Sequence, residues 1–139
     1  MSHGLPDWQV SAVDVITRAE WAAINGTDIL IQETALAVVP GNSVSKTYTP
    51  AADKTLYIVM LTGANYANLP LVDGDKPQHC WGYITVGGVG AIWIGGNGGI
   101  VVPLPKPVVV PGGIAVSIVL TNVSAHATDA RVSAFGYEV

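Results

Sequence analysis

The stretch from Pro107 to Val139, PVVVPGGIAVSIVLTNVSAHATDARVSAFGYEV, decides how the rest of the chain reads. Ile114, Val116, Ile118 and Leu120 alternate with Ala115, Ser117, Val119 and Thr121, the period of two that sends successive side chains to opposite faces of a sheet. One face is strongly apolar; the other carries small, hydroxyl-bearing or β-branched residues. This is the pattern of a central sandwich strand that is only partly wetted on its outer side. Pro111, Gly112 and Gly113 mark its start, and the Asn, Ser, His and Thr of 122–129 supply a connecting loop. Phe135, Tyr137 and Val139 then alternate with Ala134, Gly136 and Glu138 in a closing strand.

Working towards the N-terminus, 101–110 alternates Val with Pro. Proline cannot donate to a strand ladder, which places this segment at a sheet edge or in a crossover. Before it, WGYITVGGVGAIWIGGNGGI (81–100) sets short apolar strands at Tyr83 to Val86 and Ala91 to Ile94 between paired glycines, a signature of tight hairpins, bulges or close backbone packing. Gly63 to Lys76 reads as a long loop, and Leu56 to Thr62 as a strand buried on both faces. Val44, Lys46 and Tyr48 alternate in another strand. Asp28 to Val39, with a polar break at Gln32, Glu33 and Thr34, reads as one bent strand or two short ones. Seven or eight short strands result. The fold class is mostly β: an antiparallel β-sandwich of jelly-roll type over 28–139, preceded by an N-terminal arm over 1–27. Within the arm, Ser11 to Gly26 offers a cap, helical spacing and a stop for a short helix, with an extended arm as the alternative.

Composition bounds what such a domain can do. The 139 residues suit one domain. Charged residues are 12% and hydrophobic ones 50%, where soluble domains carry about 25% charge. A surface so poor in charge faces water with apolar and small polar atoms, which favours burial in an oligomer or assembly over a low-charge monomer rich in Ser, Thr and Asn. The net charge is −4, and the six Lys and Arg are widely spaced. That excludes the clustered basic footprint of nucleic-acid binding. Cys80 is the single cysteine, so neither an intrachain disulfide nor a thiolate cluster forms within one subunit. No apolar run reaches membrane-spanning length, and MSHGLPDWQV lacks the charged and apolar blocks of a signal peptide; the chain reads as made in the cytoplasm, without membrane association.

The candidate chemical sites are thin. Asp73 and Asp75 in VDGDKP resemble the start of a calcium loop, but no third carboxylate or later Glu follows at the required spacing, and a solvated turn accounts for them. His79 beside Cys80 suggests a ligand pair; a thiol at the core edge beside a surface histidine is the simpler reading, since zinc needs three or four converging ligands. There is no nucleophile elbow and no phosphate loop. Catalytic residues, a metal and a cofactor are therefore all expected to be absent. The aromatics remain. They serve as subunit-interface anchors, as a sugar-stacking platform or as plain core. Trp8 in its polar arm suits docking on a neighbour, and Trp93 between Ile92 and Ile94 suits core or intersubunit packing. Trp8, Trp21 and Trp93 are the interface candidates; Tyr66, in ANYANLP, and Trp81 are the candidate sugar contacts.

Two stretches, VVPGNSVSKTYTPAADKTLYIVML (38–61) and PLPKPVVVPGGIAVSIVLTNVSAHATDARVSAFGYEV (103–139), resemble the small jelly-roll domains of tailed-bacteriophage structural proteins, especially head decoration or cement proteins. The resemblance implies a non-enzymatic virion protein on the capsid exterior. It would form homo-oligomers, trimers above all, and stabilise the head by bridging subunits of the major capsid protein. The alternative on the same sandwich is a carbohydrate- or receptor-binding module of a phage fibre or adhesin. A cupin-like metalloenzyme would need converging histidines, and His3, His79 and His126 lack that spacing.

Overall fold

A computed structural model describes residues 24–67 and 78–139. Eight strands occur among them: β1 (Thr27–Val38), β2 (Ser43–Tyr48), β3 (Leu56–Ala67), β4 (His79–Val86), β5 (Val89–Asn97), β6 (Gly99–Val110), β7 (Val116–Asn122) and β8 (Thr128–Glu138). They form two four-stranded sheets of order β1-β8-β3-β6 and β2-β7-β4-β5, antiparallel throughout. The first and last strands pair, then the second and seventh, the third and sixth, the fourth and fifth. The chain is thus one long hairpin rolled into two sheets, which is the jelly roll. Its tip is the β4–β5 turn, where Gly87 and Gly88 hold φ of 58° and 82° between the paired Val86 and Val89. A two-residue turn with both central φ positive matches the twist of the strands it joins, and glycine adopts it without strain.

The alternation read from the sequence fills the space between the sheets. Leu56, Ile58 and Leu61 of β3, Ile84 of β4, Val116, Ile118 and Leu120 of β7 and Val132 of β8 are all fully or almost fully buried. Ile114 departs from the expected pattern. It lies before β7 begins and is 41% exposed, because the Pro111–Gly113 turn delays the strand by two residues. The break in β1 falls at Leu36 and Ala37 rather than at 32–34. Ala37 has φ 52°, and its N–H is taken by the Asp129 carboxylate at 2.9 Å. Of the loop expected over Gly63 to Lys76, residues 63–67 belong to β3, which pairs with β6 to Ala64 and with β8 to Ala67, and the rest lies outside the described residues.

The sandwich edges are guarded by composition. On the β1/β2 side, Glu33 and Lys46 point between the sheets and meet at 3.4 Å, and the Tyr48 hydroxyl donates to Glu138 at 2.6 Å. Inward charge on edge strands opposes pairing with another chain. On β6, Pro103, Pro105 and Pro107 remove ladder donors, in line with the edge position expected from the Val–Pro pattern. One end of the sandwich is closed by polar groups. Buried Asn65 donates from Nδ2 to the carbonyls of His79 (3.0 Å) and Gln78 (3.3 Å) and accepts the Thr128 hydroxyl at Oδ1. Asn122 donates to the carbonyls of Val38 and His126 at 2.8 and 2.9 Å. These bonds tie strands of both sheets together where the core side chains stop. Of the expected helix over Ser11 to Gly26, only Ile24, Asn25 and Gly26 fall within the described residues, the first two in helical conformation.

Candidate functional site

In β4, Cys80, Gly82 and Ile84 face the core, which sends Trp81, Tyr83 and Thr85 to the outer face of the β2-β7-β4-β5 sheet. The register with β5 sets Gly95 opposite Trp81 and Trp93 opposite Tyr83. Trp93 stacks on Tyr83 with ring centroids 4.5 Å apart and planes inclined by 24°, within the geometry that favours offset aromatic pairs. Each indole also lies over a glycine. A Cβ on Gly95 would stand 3.5 Å from Trp81 Cδ1, and one on Gly90 would stand 3.0 Å from Trp93 Nε1. The missing side chains let the two rings lie down on the sheet instead of standing away from it.

Trp81 is nevertheless 57% exposed and Trp93 63% exposed. With Ile94 and Gly95 they line an open cleft of ≈ 360 Å³. The outer face continues in rows across the sheet. Trp81 lies opposite Thr121 and then Ser43, Tyr83 opposite Val119 and then Ser45, Thr85 opposite Ser117 and then Thr47. Two of these rows end in hydroxyl pairs, Ser43–Thr121 at 2.7 Å and Thr47–Ser117 at 2.8 Å. A flat aromatic patch passes directly into a strip of short alcohols.

The aromatics named from sequence therefore separate. Trp81, a sugar-contact candidate, and Trp93, an interface candidate, come together on one face, and Trp93 is not a core residue. Tyr66 belongs to β3, beside buried Asn65 and opposite Asp129, and points from the outer face of the other sheet; it cannot share a platform with Trp81. Tyr83, absent from the sequence candidates, is the ring that holds Trp93 in place. Trp8, Trp21, Asp73 and Asp75 lie outside the described residues.

The outward placement of Trp93, which rules out its core alternative, rests on a single extra residue. Counting back from the Val86/Val89 pair would set Trp93 opposite Gly82, on the core face; an irregularity between Ile84 and Thr85 makes Ala91 supernumerary and moves Trp93 opposite Tyr83, on the outside. His79 is exposed and Cys80 buried, on opposite faces of one strand. Burial pushes the Cys80 thiol pKa up, so it stays protonated and unreactive. No three His, Cys, Asp or Glu side chains converge among the described residues.

No protein-family model matches the chain, and no curated protein does. Among solved structures it is similar to the CBM36-1 domain of a multidomain xylanase from the hindgut metagenome of Trinervitermes trinervoides, with TM-score 0.42 and 13% identity over 80% of this chain and 96% of that one. It is also similar to an exo-beta-1,3-galactanase from Phanerochaete chrysosporium solved with galactose, with TM-score 0.34 and 12% identity over 83% of this chain and 28% of that one.

Proposed function

We propose that this protein is a non-catalytic carbohydrate-binding β-sandwich whose Trp81, Tyr83 and Trp93 stack against sugar rings. The observation that carries the reading is the pair of tryptophans, each more than half exposed on a regular sheet and held flat by Tyr83 and two glycines. Large aromatic rings are among the most strongly buried groups in proteins, and a contiguous exposed set marks a binding surface. The apolar C–H face of a sugar ring covers an indole, while its hydroxyls meet donors and acceptors at the rim. Affinity gel electrophoresis against a polysaccharide panel tests this directly. Trp81→Ala and Trp93→Ala should each weaken retention at least tenfold, about 1.4 kcal/mol, and leave the urea midpoint almost unchanged because the rings support little of the core. Retention equal to wild type in both variants, or no glycan retained by the wild type, refutes the reading.

A second reading rests on the opposite face. There, Leu30, Phe135, Met60 and Pro103 form one cross-strand row on the β1-β8-β3-β6 sheet, with Leu30 63% and Val101 70% exposed. Such a face suits permanent association better than solvent. On this second reading we propose self-association through that face, and with it the decoration role: a homo-oligomer, trimers above all, on a capsid exterior beside the major capsid protein. Mass in solution and binding to capsids, for wild type and Leu30→Asp, test it; a monomeric wild type that binds no capsid removes it.

A further inference from the structure

Resting on the carbohydrate reading, we infer that the ligand is an uncharged glycan chain laid across the strands, from the tryptophans over Val119 to the hydroxyl rows of β7 and β2. Charge is the first ground. The three rows from β5 to β2 contain only aromatic, hydroxyl, glycine and valine side chains. The closest charge in sequence, Lys46, turns inward to Glu33. An acidic sugar bound there would bring its carboxylate onto an aromatic surface whose three rows hold no Lys or Arg, with exposed His79, two residues before Trp81, beyond their edge; carboxylate recognition draws its strength from charge-assisted bonds to Arg or Lys. The net charge of −4 would repel an anionic polymer further.

The second ground is the arrangement of hydroxyls. Each Ser or Thr hydroxyl has one donor and two acceptor sites. The Ser43–Thr121 and Thr47–Ser117 pairs each use one donor and one acceptor internally. Each pair keeps a second O–H and several lone pairs for a ligand that itself presents alternating donors and acceptors, as neutral sugars do. The third ground is extent. Four strands at a spacing of about 4.8 Å make a face roughly 14 Å across, so a chain anchored on the indoles reaches the alcohols only as an oligosaccharide, not as a single ring.

The test uses the full chain in affinity gels containing neutral polysaccharides (a β-glucan, a xylan, a galactan) or acidic ones (polygalacturonate, alginate, hyaluronate), at low salt and in 0.5 M NaCl. Retention is expected in at least one neutral gel, changed less than twofold by salt. The Ser43→Ala/Thr121→Val double variant should lose roughly tenfold in retention with its unfolding midpoint unchanged. Retention confined to acidic gels and weakened by salt overturns the inference, while its loss in Trp81→Ala would still uphold the platform. Neutral binding that depends on Trp81 but ignores the double variant overturns the path across the strands. No retention in either set overturns the carbohydrate reading itself.

Discussion

Replacing Asn65 by leucine, a side chain of nearly the same shape, removes the junction that closes one end of the sandwich. Asn65 is fully buried; its amide makes three close bonds, to the carbonyls of His79 and Gln78 from Nδ2 and from the Thr128 hydroxyl at Oδ1, and Nδ2 also reaches Asn122 Oδ1 and Ser124 Oγ at 3.5 Å. At about 1 kcal/mol net per bond the direct loss is ~3 kcal/mol. The stranded partners then decide how much is added. The Gln78 carbonyl still receives Gly98 N–H at 3.0 Å, and the His79 carbonyl still receives Val123 N–H at 3.0 Å and Ser124 Oγ at 3.2 Å. Only the Thr128 hydroxyl is left buried beside a methyl group, at a cost of about 1–3 kcal/mol. Burying leucine carbon offsets part of this, by about 1–2 kcal/mol. The expected loss is about 2–5 kcal/mol, read from urea unfolding by linear extrapolation. Thr128→Val should cost about 1–3 kcal/mol, because it leaves Asn65 Oδ1 unmet. The double variant should cost less than the sum by ~1–2 kcal/mol, since each single change already breaks the shared bond. An Asn65→Leu loss under ~1 kcal/mol, or additivity within ~0.5 kcal/mol, would refute the reasoning.

Other perturbations test separate parts of the molecule. The Tyr48 pKa is raised above its usual 10.0, first by the bond to Glu138, then by partial burial and by the charge of that carboxylate. A raised value means that the fold holds the proton more tightly than the unfolded chain does, so its stabilisation is complete below pH 10 and fades as pH climbs through the folded pKa. Tyr48→Phe should therefore cost about 1–2 kcal/mol at pH 7 and lose that difference above the folded value, measured as unfolding midpoints across alkaline pH. Gly136→Ala should cost more than ~4 kcal/mol or abolish soluble expression, because its Cβ would overlap the Tyr57 carbonyl and stand 3.0 Å from Ile58 Cα, both backbone atoms of a central strand; Gly99→Ala, with nothing within 4 Å, should be almost neutral. Gly90→Val should push the Trp93 indole off Tyr83, changing tryptophan fluorescence and weakening glycan retention while moving the unfolding midpoint by less than ~1 kcal/mol.

The fold was largely legible because its main determinant is local. Alternation over 116–120, the prolines of β6 and the paired glycines of the β4–β5 turn each announce a strand, an edge or a hairpin within a few residues. What stayed hidden depends on partners distant in sequence. The extension of β3 past Gly63 is set by its two neighbours, β6 and β8, and nothing within 63–67 signals it. Glu33 looked like a polar break; its place is inside the edge, fixed by Lys46 on the other sheet. The site was half visible. Trp81 and its exposure follow from alternation, whereas the meeting of Trp93 with Tyr83 needs the register of the hairpin and the one residue that interrupts it.

That supernumerary residue, Ala91, makes the aromatic surface a matter of parity. Trp93 faces out only because the irregularity between Ile84 and Thr85 takes up the extra residue; without Ala91 the pairs Thr85–Gly90, Ile84–Ile92 and Tyr83–Trp93 would follow one another without interruption, so a single-codon deletion there would keep the platform. What would turn Trp93 inwards is closing the bulge with Ala91 retained, which sets the indole opposite Gly82 on the core face; the aromatic surface therefore depends on how the hairpin absorbs one residue, and the presence of tryptophan in the sequence does not record it.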